Sequence, residues 1–117
     1  MKHLFKVFTF TVVFAAIIAC NSTQDKAIAN AKTIKFKVFG NCEQCKTTIE
    51  KSLKIDGVGK AIWDEDSKML TAEFDSVKLK EANLHHAIAM SGYDTEVEKA
   101  PDDAYKALPE CCQYTRK

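Results

Sequence analysis

Apolar and polar residues alternate along four short stretches of the chain, and this alternation predicts half-buried β-strands. The four stretches are residues 33–39, 61–63, 70–74 and 93–98. Acidic residues and a serine at 64–67 separate the second stretch from the third. This separation predicts that the two central strands form a hairpin.

Two stretches between the predicted strands repeat their apolar residues at helical spacing. Residues 43–54 contain no Gly or Pro and place Cys45, Ile49 and Leu53 four residues apart. Residues 79–91 carry a similar stripe and end at a glycine, a usual helix-ending residue. The element order predicts an α+β fold, a ferredoxin-like βαββαβ sandwich with a four-stranded antiparallel sheet and two helices on one face.

The N-terminal segment has the pattern of an export signal. An uncharged run at residues 7–19 follows two lysines, which is typical of a signal peptide and short for a membrane span. The sequence Ile-Ile-Ala-Cys at 17–20 resembles a bacterial lipobox, in which the cysteine is lipidated. We therefore predict a lipoprotein signal peptide over 1–19 and a lipidated, flexible tether over 20–32, anchored at Cys20 to a bacterial membrane and facing the periplasm. A short membrane anchor with an incidental cysteine is the alternative.

Composition limits the classes of function open to the chain. With 117 residues, the chain can form one modest hydrophobic core, which argues against a multidomain enzyme. Beyond residue 19 the chain has 15 basic and 16 acidic residues, so no positive excess favours nucleic-acid binding. No serine, histidine and carboxylate grouping suggests hydrolysis. We therefore expect a binding protein with no catalytic residues.

Five cysteines are the unusual feature of so short a chain. Lipidation of Cys20 leaves four thiols, at Cys42, Cys45, Cys111 and Cys112. A spacing of three places the Cys42 and Cys45 sulfurs near one point, at the start of the first predicted helix. The N–H groups and the dipole at a helix N-terminus stabilise thiolates, and soft thiolates select soft ions such as Cu(I) over Mg or Ca. The sequence therefore predicts a metal site at Cys42 and Cys45.

The cysteine motif stands in a wider sequence pattern. Gly-Asn-Cys-Glu-Gln-Cys at 40–45 is followed by Gly-Val at 57–58, Ala-Ile at 87–88 and Gly-Tyr at 92–93. This pattern resembles the heavy-metal-associated (HMA) domain family, which includes copper chaperones, domains of copper-pumping ATPases and periplasmic mercury-binding proteins. The resemblance implies an HMA domain over 33–99 that binds one thiophilic ion at its two cysteines and transfers it by ligand exchange. Cu(I) is the expected ion, with Hg(II) or Zn(II) as alternatives, and an efflux pump or another metal-binding domain is the expected partner.

Two positions depart from the family pattern. Gly40 stands where the family usually carries a methionine that packs under the metal loop, which bears on loop rigidity and metal preference. Ser-Gly-Tyr at 91–93 stands near the end of the second helix, where copper chaperones often have a lysine. The second departure argues against the cytosolic chaperone subtype.

Residues 100–117 form a C-terminal tail beyond the predicted domain, with Cys111 and Cys112 near its end. Three roles are open for this pair. It folds back to complete a three- or four-sulfur site with Cys42 and Cys45, it acts as a second capture point, or it is an oxidised or free pair without a metal role.

Two rival functions use the same thiols. An extracytoplasmic thiol-disulfide redox protein would use the Cys-x-x-Cys motif, but the chain has no proline before residue 101 to lie opposite the thiols. A structural zinc module would use all four cysteines as a closed tetrahedral site. His85 and His86 have no further ligands at a matching spacing, so we expect a partly exposed helix pair rather than a metal site.

Overall fold

The structure, a computed structural model, describes residues 27–116. The predicted signal peptide at 1–19, Cys20 and most of the tether lie outside the described residues, so these assignments stay predictions. Within the described range, none of the helices has the length and apolar character needed to span a membrane.

The described residues form three β-strands, three α-helices and one short 3₁₀ turn. The strands are β1 (Ala31–Lys37), β2 (Val58–Trp63) and β3 (Met69–Asp75). The helices are α1 (Glu43–Ser52), α2 (Glu81–Met90) and α3 (Asp102–Lys106), and the 3₁₀ turn covers Glu110–Cys112. Strand β3 lies in the middle of the sheet and pairs antiparallel with both β1 and β2. The α+β class and the central hairpin agree with the prediction.

The fourth predicted strand, at residues 93–98, is not formed. Thr95 makes one isolated bridge with Val38, and the Phe39 N–H donates to the Asp94 carbonyl at 2.9 Å. Pairing stops there because Thr95 closes a tight turn. Its N–H donates to the Glu98 carbonyl at 2.8 Å, and its hydroxyl accepts the Glu98 N–H at 3.0 Å. Among the described residues the sheet therefore has three strands, and the predicted fourth one is reduced to a bridge at its edge.

One hydrophobic core joins the inner face of the sheet to α1 and α2. Its buried side chains include Phe36, Leu70, Ala72 and Phe74 from the strands, and Ile49, Leu53, Leu84 and Ile88 from the helices. Glu50 fixes α1 against β2, because its carboxylate accepts the Trp63 N–H at 2.9 Å and pairs with Lys46. Lys46 also donates to the Trp63 carbonyl at 2.8 Å. These contacts hold the start of α1 in a fixed position on the sheet.

The two histidines of α2 have different surroundings, which corrects the expectation of a partly exposed pair. His85 is only 2% exposed, and its Nδ1 lies 2.8 Å from the Thr95 hydroxyl. Its ring packs on Phe36 with the centroids 3.8 Å apart. His86 is exposed and pairs with Glu98. The buried His85 ring therefore has a hydrogen-bond partner in Thr95, the same residue that closes the turn after α2.

The C-terminal tail packs onto the same core. Leu108, Cys112 and Tyr114 are all buried members of the core. The Tyr114 hydroxyl accepts the Asp94 N–H at 2.7 Å and donates to the Gly92 carbonyl at 3.0 Å. A buried hydroxyl that satisfies two backbone groups ties the tail to the segment after α2.

Arg116 fixes the end of the tail. Its guanidinium donates to both carboxylate oxygens of Asp94, at 2.7 and 3.0 Å. It also donates to the Ala100 carbonyl at 2.6 Å and to Asp102 at 2.8 Å. Burial by itself raises the pKa of Asp94, but the hydrogen bonds from Arg116 and from the Ala100 N–H lower it below its usual value. A bidentate, partly buried pair of this kind is among the stronger ion pairs in proteins.

Replacing Tyr114 by Phe should lower the free energy of unfolding by about 1–3 kcal/mol, because two buried backbone groups lose their partner. Chemical denaturation followed by circular dichroism measures the difference. Thr115→Ala is the control, since Thr115 is exposed in the same tail and its loss should change stability by less than about 0.5 kcal/mol. Equal stability of Tyr114→Phe and the parent would contradict the packing of the tail.

Candidate metal centre

The two cysteines of the motif lie where the chain enters α1. Cys42 is the N-cap residue of the helix, and Cys45 lies in its first turn. Their sulfurs are 3.7 Å apart. Cys42 is half-buried, whereas Cys45 is completely buried. The spacing of three therefore brings one accessible and one enclosed sulfur to the same point.

A third sulfur comes from the tail. The Sγ atoms of Cys42, Cys45 and Cys112 all lie within 4.8 Å of one another, and we call these residues the three-sulfur group. Cys112 is completely buried. Its neighbour Cys111 is exposed and points elsewhere, because its thiol donates to the Gln44 side-chain oxygen at 3.0 Å. The structure thus gives different environments to two adjacent cysteines that the sequence could not distinguish: Cys112 joins the three-sulfur group and Cys111 does not.

Backbone N–H groups stabilise negative charge on Cys45. The Asn41 N–H donates to the Cys45 sulfur at 3.4 Å. Burial by itself raises the pKa of Cys45, but hydrogen bonds from the Asn41 and Cys42 backbone and from the Cys112 thiol lower it below its usual value. The net shift is opposite at Cys112, where burial is the largest effect and raises the pKa to about 12. The hydrogen bonds at Cys45 therefore favour its thiolate form, whereas burial favours the protonated form of Cys112.

The Tyr93 hydroxyl lies beside two members of the three-sulfur group, Cys112 and Cys45. Tyr93 is completely buried, and its hydroxyl has no hydrogen-bond partner among the described residues. Burial and the adjacent thiols of Cys112 and Cys45 raise the pKa of Tyr93 above its usual value. The Tyr93 hydroxyl therefore keeps its proton and can donate a hydrogen bond to the sulfur of Cys45 or Cys112. In the sequence, Tyr93 belongs to the Gly-Tyr pair of the family pattern and to the fourth predicted strand, and neither feature indicates that its hydroxyl lies beside the sulfurs.

Trp63 supports the metal loop from below. Gly40 is buried, and a Cβ there would lie 3.1 Å from two atoms of the Trp63 ring and 3.3 Å from the Cys45 Cβ. The Trp63 indole N–H donates to the Val38 carbonyl at 3.0 Å. The indole thus occupies the space that a larger side chain at position 40 would need. Alternation along β2 predicted a buried tryptophan, but only the structure shows that it lies beneath the loop.

The sequence is similar to that of a curated protein. The chain is 34% identical over 79 residues to the mercuric transport protein periplasmic component of Shewanella putrefaciens. The match covers 66% of this chain and 87% of that protein. No protein-family model matches the sequence.

The fold is similar to those of several solved structures. A CopZ metallochaperone has a TM-score of 0.53 and 29% identity, over 55% of this chain and 98% of that one. Oxidised MerP from Ralstonia metallidurans CH34 has a TM-score of 0.54 and 28% identity, over 56% of this chain and 94% of that one. The N-terminal domain of a potential copper-translocating P-type ATPase from Bacillus subtilis, in the Cu(I)-loaded state, has a TM-score of 0.54 and 27% identity, over 62% of this chain and 92% of that one.

A ferredoxin-like α+β fold with two cysteines at its first strand-to-helix junction defines a class of small thiol-bearing domains suited to soft metal ions. The relatives in sequence and in structure fall within this class. The chain belongs to the heavy-metal-associated domain family, as its sequence pattern predicts.

The two shifted thiols predict a pH dependence of thiolate formation. In the reduced protein without metal, ultraviolet absorbance of thiolates should show an early step, because the pKa of Cys45 is lowered, and a late step near pH 12 from Cys112. Cys45→Ser should remove the early step, whereas Cys111→Ser should leave it in place. An unchanged titration curve for Cys45→Ser would contradict the hydrogen bonding at its sulfur.

The same shifts give opposite effects on stability. The folded-state pKa of Cys45 lies below its unfolded value, so its contribution is present above the unfolded value and is lost as the pH falls through the folded one. The folded-state pKa of Cys112 is raised, so its contribution is present below the unfolded value and is lost as the pH rises towards about 12.

Proposed function

We propose that the protein binds a thiophilic metal ion, Cu(I) in the first place, and transfers or sequesters it outside the cytoplasm. The observation that carries the proposal is the pair of Cys42 and Cys45 sulfurs, 3.7 Å apart at the start of α1. Thiolates in such a pair select soft ions over hard ones. The names of the relatives support it: a mercuric transport protein, a CopZ metallochaperone and a Cu(I)-loaded ATPase domain.

The donor set favours Cu(I) over Zn(II). The three-sulfur group contains no histidine and no carboxylate. Structural zinc sites are closed by four ligands in a tetrahedron, whereas Cu(I) is held readily by thiolates in lower coordination. Hg(II) shares this preference for sulfur and is the alternative cargo. We assign the protein no catalytic role, because capture and release of an ion require only exchange of ligands.

The difference in exposure between the two motif cysteines suits transfer. Cys42 is half-buried at the surface end of the pair, and Cys45 is enclosed in the core. An acceptor thiolate would reach the ion from the Cys42 side and replace that sulfur first, while Cys45 still holds the ion. The partner we propose is another metal-binding domain or a metal-efflux pump, to which the ion passes by such exchange.

A competition titration tests the metal site. The reduced parent should take one Cu(I) equivalent from a chromophoric chelator under anaerobic conditions, and the double variant Cys42→Ser, Cys45→Ser should take none with comparable affinity. Met90→Leu is the control, since it removes an exposed sulfur that lies outside the site. Undiminished binding in the double variant, or no tight binding in the parent, would overturn the proposed function.

Lipid labelling tests the predicted location. The proposal places the protein at a membrane outside the cytoplasm, through the export pattern that ends at Cys20, and the periplasmic relative supports that side of the membrane. In a bacterial host, the parent should incorporate labelled palmitate and Cys20→Ala should not. Cys111→Ser, which changes an exposed thiol in the C-terminal tail, should keep the label. Equal labelling of the Cys20→Ala variant would contradict lipidation at this residue.

A further inference from the structure

We propose that the C-terminal tail supplies Cys112 as a third thiolate ligand, which encloses the ion held by Cys42 and Cys45. The inference rests on the proposed function and specifies its cargo as a soft ion bound by three sulfurs. It also assigns the tail a role in retaining the ion. Cys111 stays outside the set of ligands.

The spacing of the sulfurs fits one ion. The Cys42 and Cys45 sulfurs are 3.7 Å apart, and both lie within 4.8 Å of the Cys112 sulfur. Three sulfurs that surround one ion in a plane at about 2.3 Å are about 4 Å apart from one another. Changes of less than about 1 Å in the sulfur–sulfur distances therefore bring all three sulfurs to an ion at their centre.

The Tyr93 hydroxyl gives a second, independent argument for metal-bound thiolates at Cys45 and Cys112. It is completely buried without a hydrogen-bond partner among the described residues, and it faces the Cys45 and Cys112 sulfurs. Native proteins rarely leave such a group unsatisfied without a functional reason. Thiolates that hold a metal still accept hydrogen bonds, so the ion-bound group gives this hydroxyl its partner.

The tail is anchored on both sides of Cys112. Leu108 is buried before the 3₁₀ turn, and Tyr114 is buried after it. The Tyr114 N–H also donates to the Cys112 carbonyl at 2.9 Å. A thiol held in this way has already lost its conformational freedom before the ion arrives, which raises its effective concentration at the site.

Cys111 provides the contrast that makes the inference testable. It is adjacent in sequence, but it is exposed and its thiol is bonded to Gln44 at 3.0 Å. Its sulfur lies 3.9 Å from that of Cys112, outside the three-sulfur group. The same substitution at Cys111 and at Cys112 therefore distinguishes the proposed ligand from a cysteine that does not bind the ion.

The test is a Cu(I) competition titration of the full chain in detergent, with Cys20→Ser in every protein so that only four thiols remain. We expect Cys112→Ser and Cys112→Ala to weaken Cu(I) affinity by roughly tenfold or more, because an intramolecular ligand is lost. Cys111→Ser should stay within about twofold of the parent, as an exposed residue outside the site. Circular dichroism shows whether each variant is folded.

The outcomes distinguish this inference from the proposed function. Equal affinity in the Cys112 and Cys111 variants, with binding still dependent on Cys42 and Cys45, would overturn the third ligand alone. No tight binding in the parent would overturn both proposals. If the Cys112 variants do not fold, Tyr114→Phe decides, since it keeps every thiol and loosens the tail. It should then release Cu(I) to a chelator faster than Thr115→Ala does, and equal release rates would overturn the inference.

Discussion

The complete burial of the Cys45 sulfur is the constraint on which the rest of the site depends. This one atom is part of the hydrophobic core and also one of the thiols at the metal loop. Core packing therefore fixes its position without help from an ion. Trp63 fills the space beside Gly40, next to the Cys45 Cβ, and the Asn41 N–H compensates for the loss of water around the Cys45 sulfur. A sulfur placed in this way is pre-organised, so an incoming ion need not order the loop.

The tail completes this arrangement from the other end of the domain. Tyr114 and Arg116 both act on the segment after α2, at Gly92 and Asp94. That segment also carries Tyr93, whose hydroxyl faces the sulfurs. One set of contacts thus positions both Cys112 and the hydroxyl beside it. The three-sulfur group then combines a thiol of lowered pKa with one of raised pKa in a single buried space.

The sequence was most informative where the determining contacts are local. Alternation predicted the three strands, and the Cys-x-x-Cys spacing brought the Cys42 and Cys45 sulfurs together because three residues are nearly one helical turn. It failed at residues 93–98, because the Thr95 hydroxyl closes a turn that the alternating pattern does not reveal. It also could not choose between Cys111 and Cys112, since their orientation depends on packing of the tail against distant residues. The sequence pattern shows that Gly40 departs from the family, but it does not show that the Trp63 ring fills the space beside this glycine.

X-ray absorption spectroscopy of the Cu(I)-loaded full chain tests the central claim most directly, because it counts the atoms bound to the ion without altering any of the cysteines. The sample should carry one Cu(I) per chain, be reduced and be prepared without added thiols. We expect a first shell of sulfur alone, with three sulfurs around each ion. A first shell that contains nitrogen or oxygen would contradict the assignment of the ion to the three-sulfur group, and a shell of two sulfurs would contradict the part played by the tail.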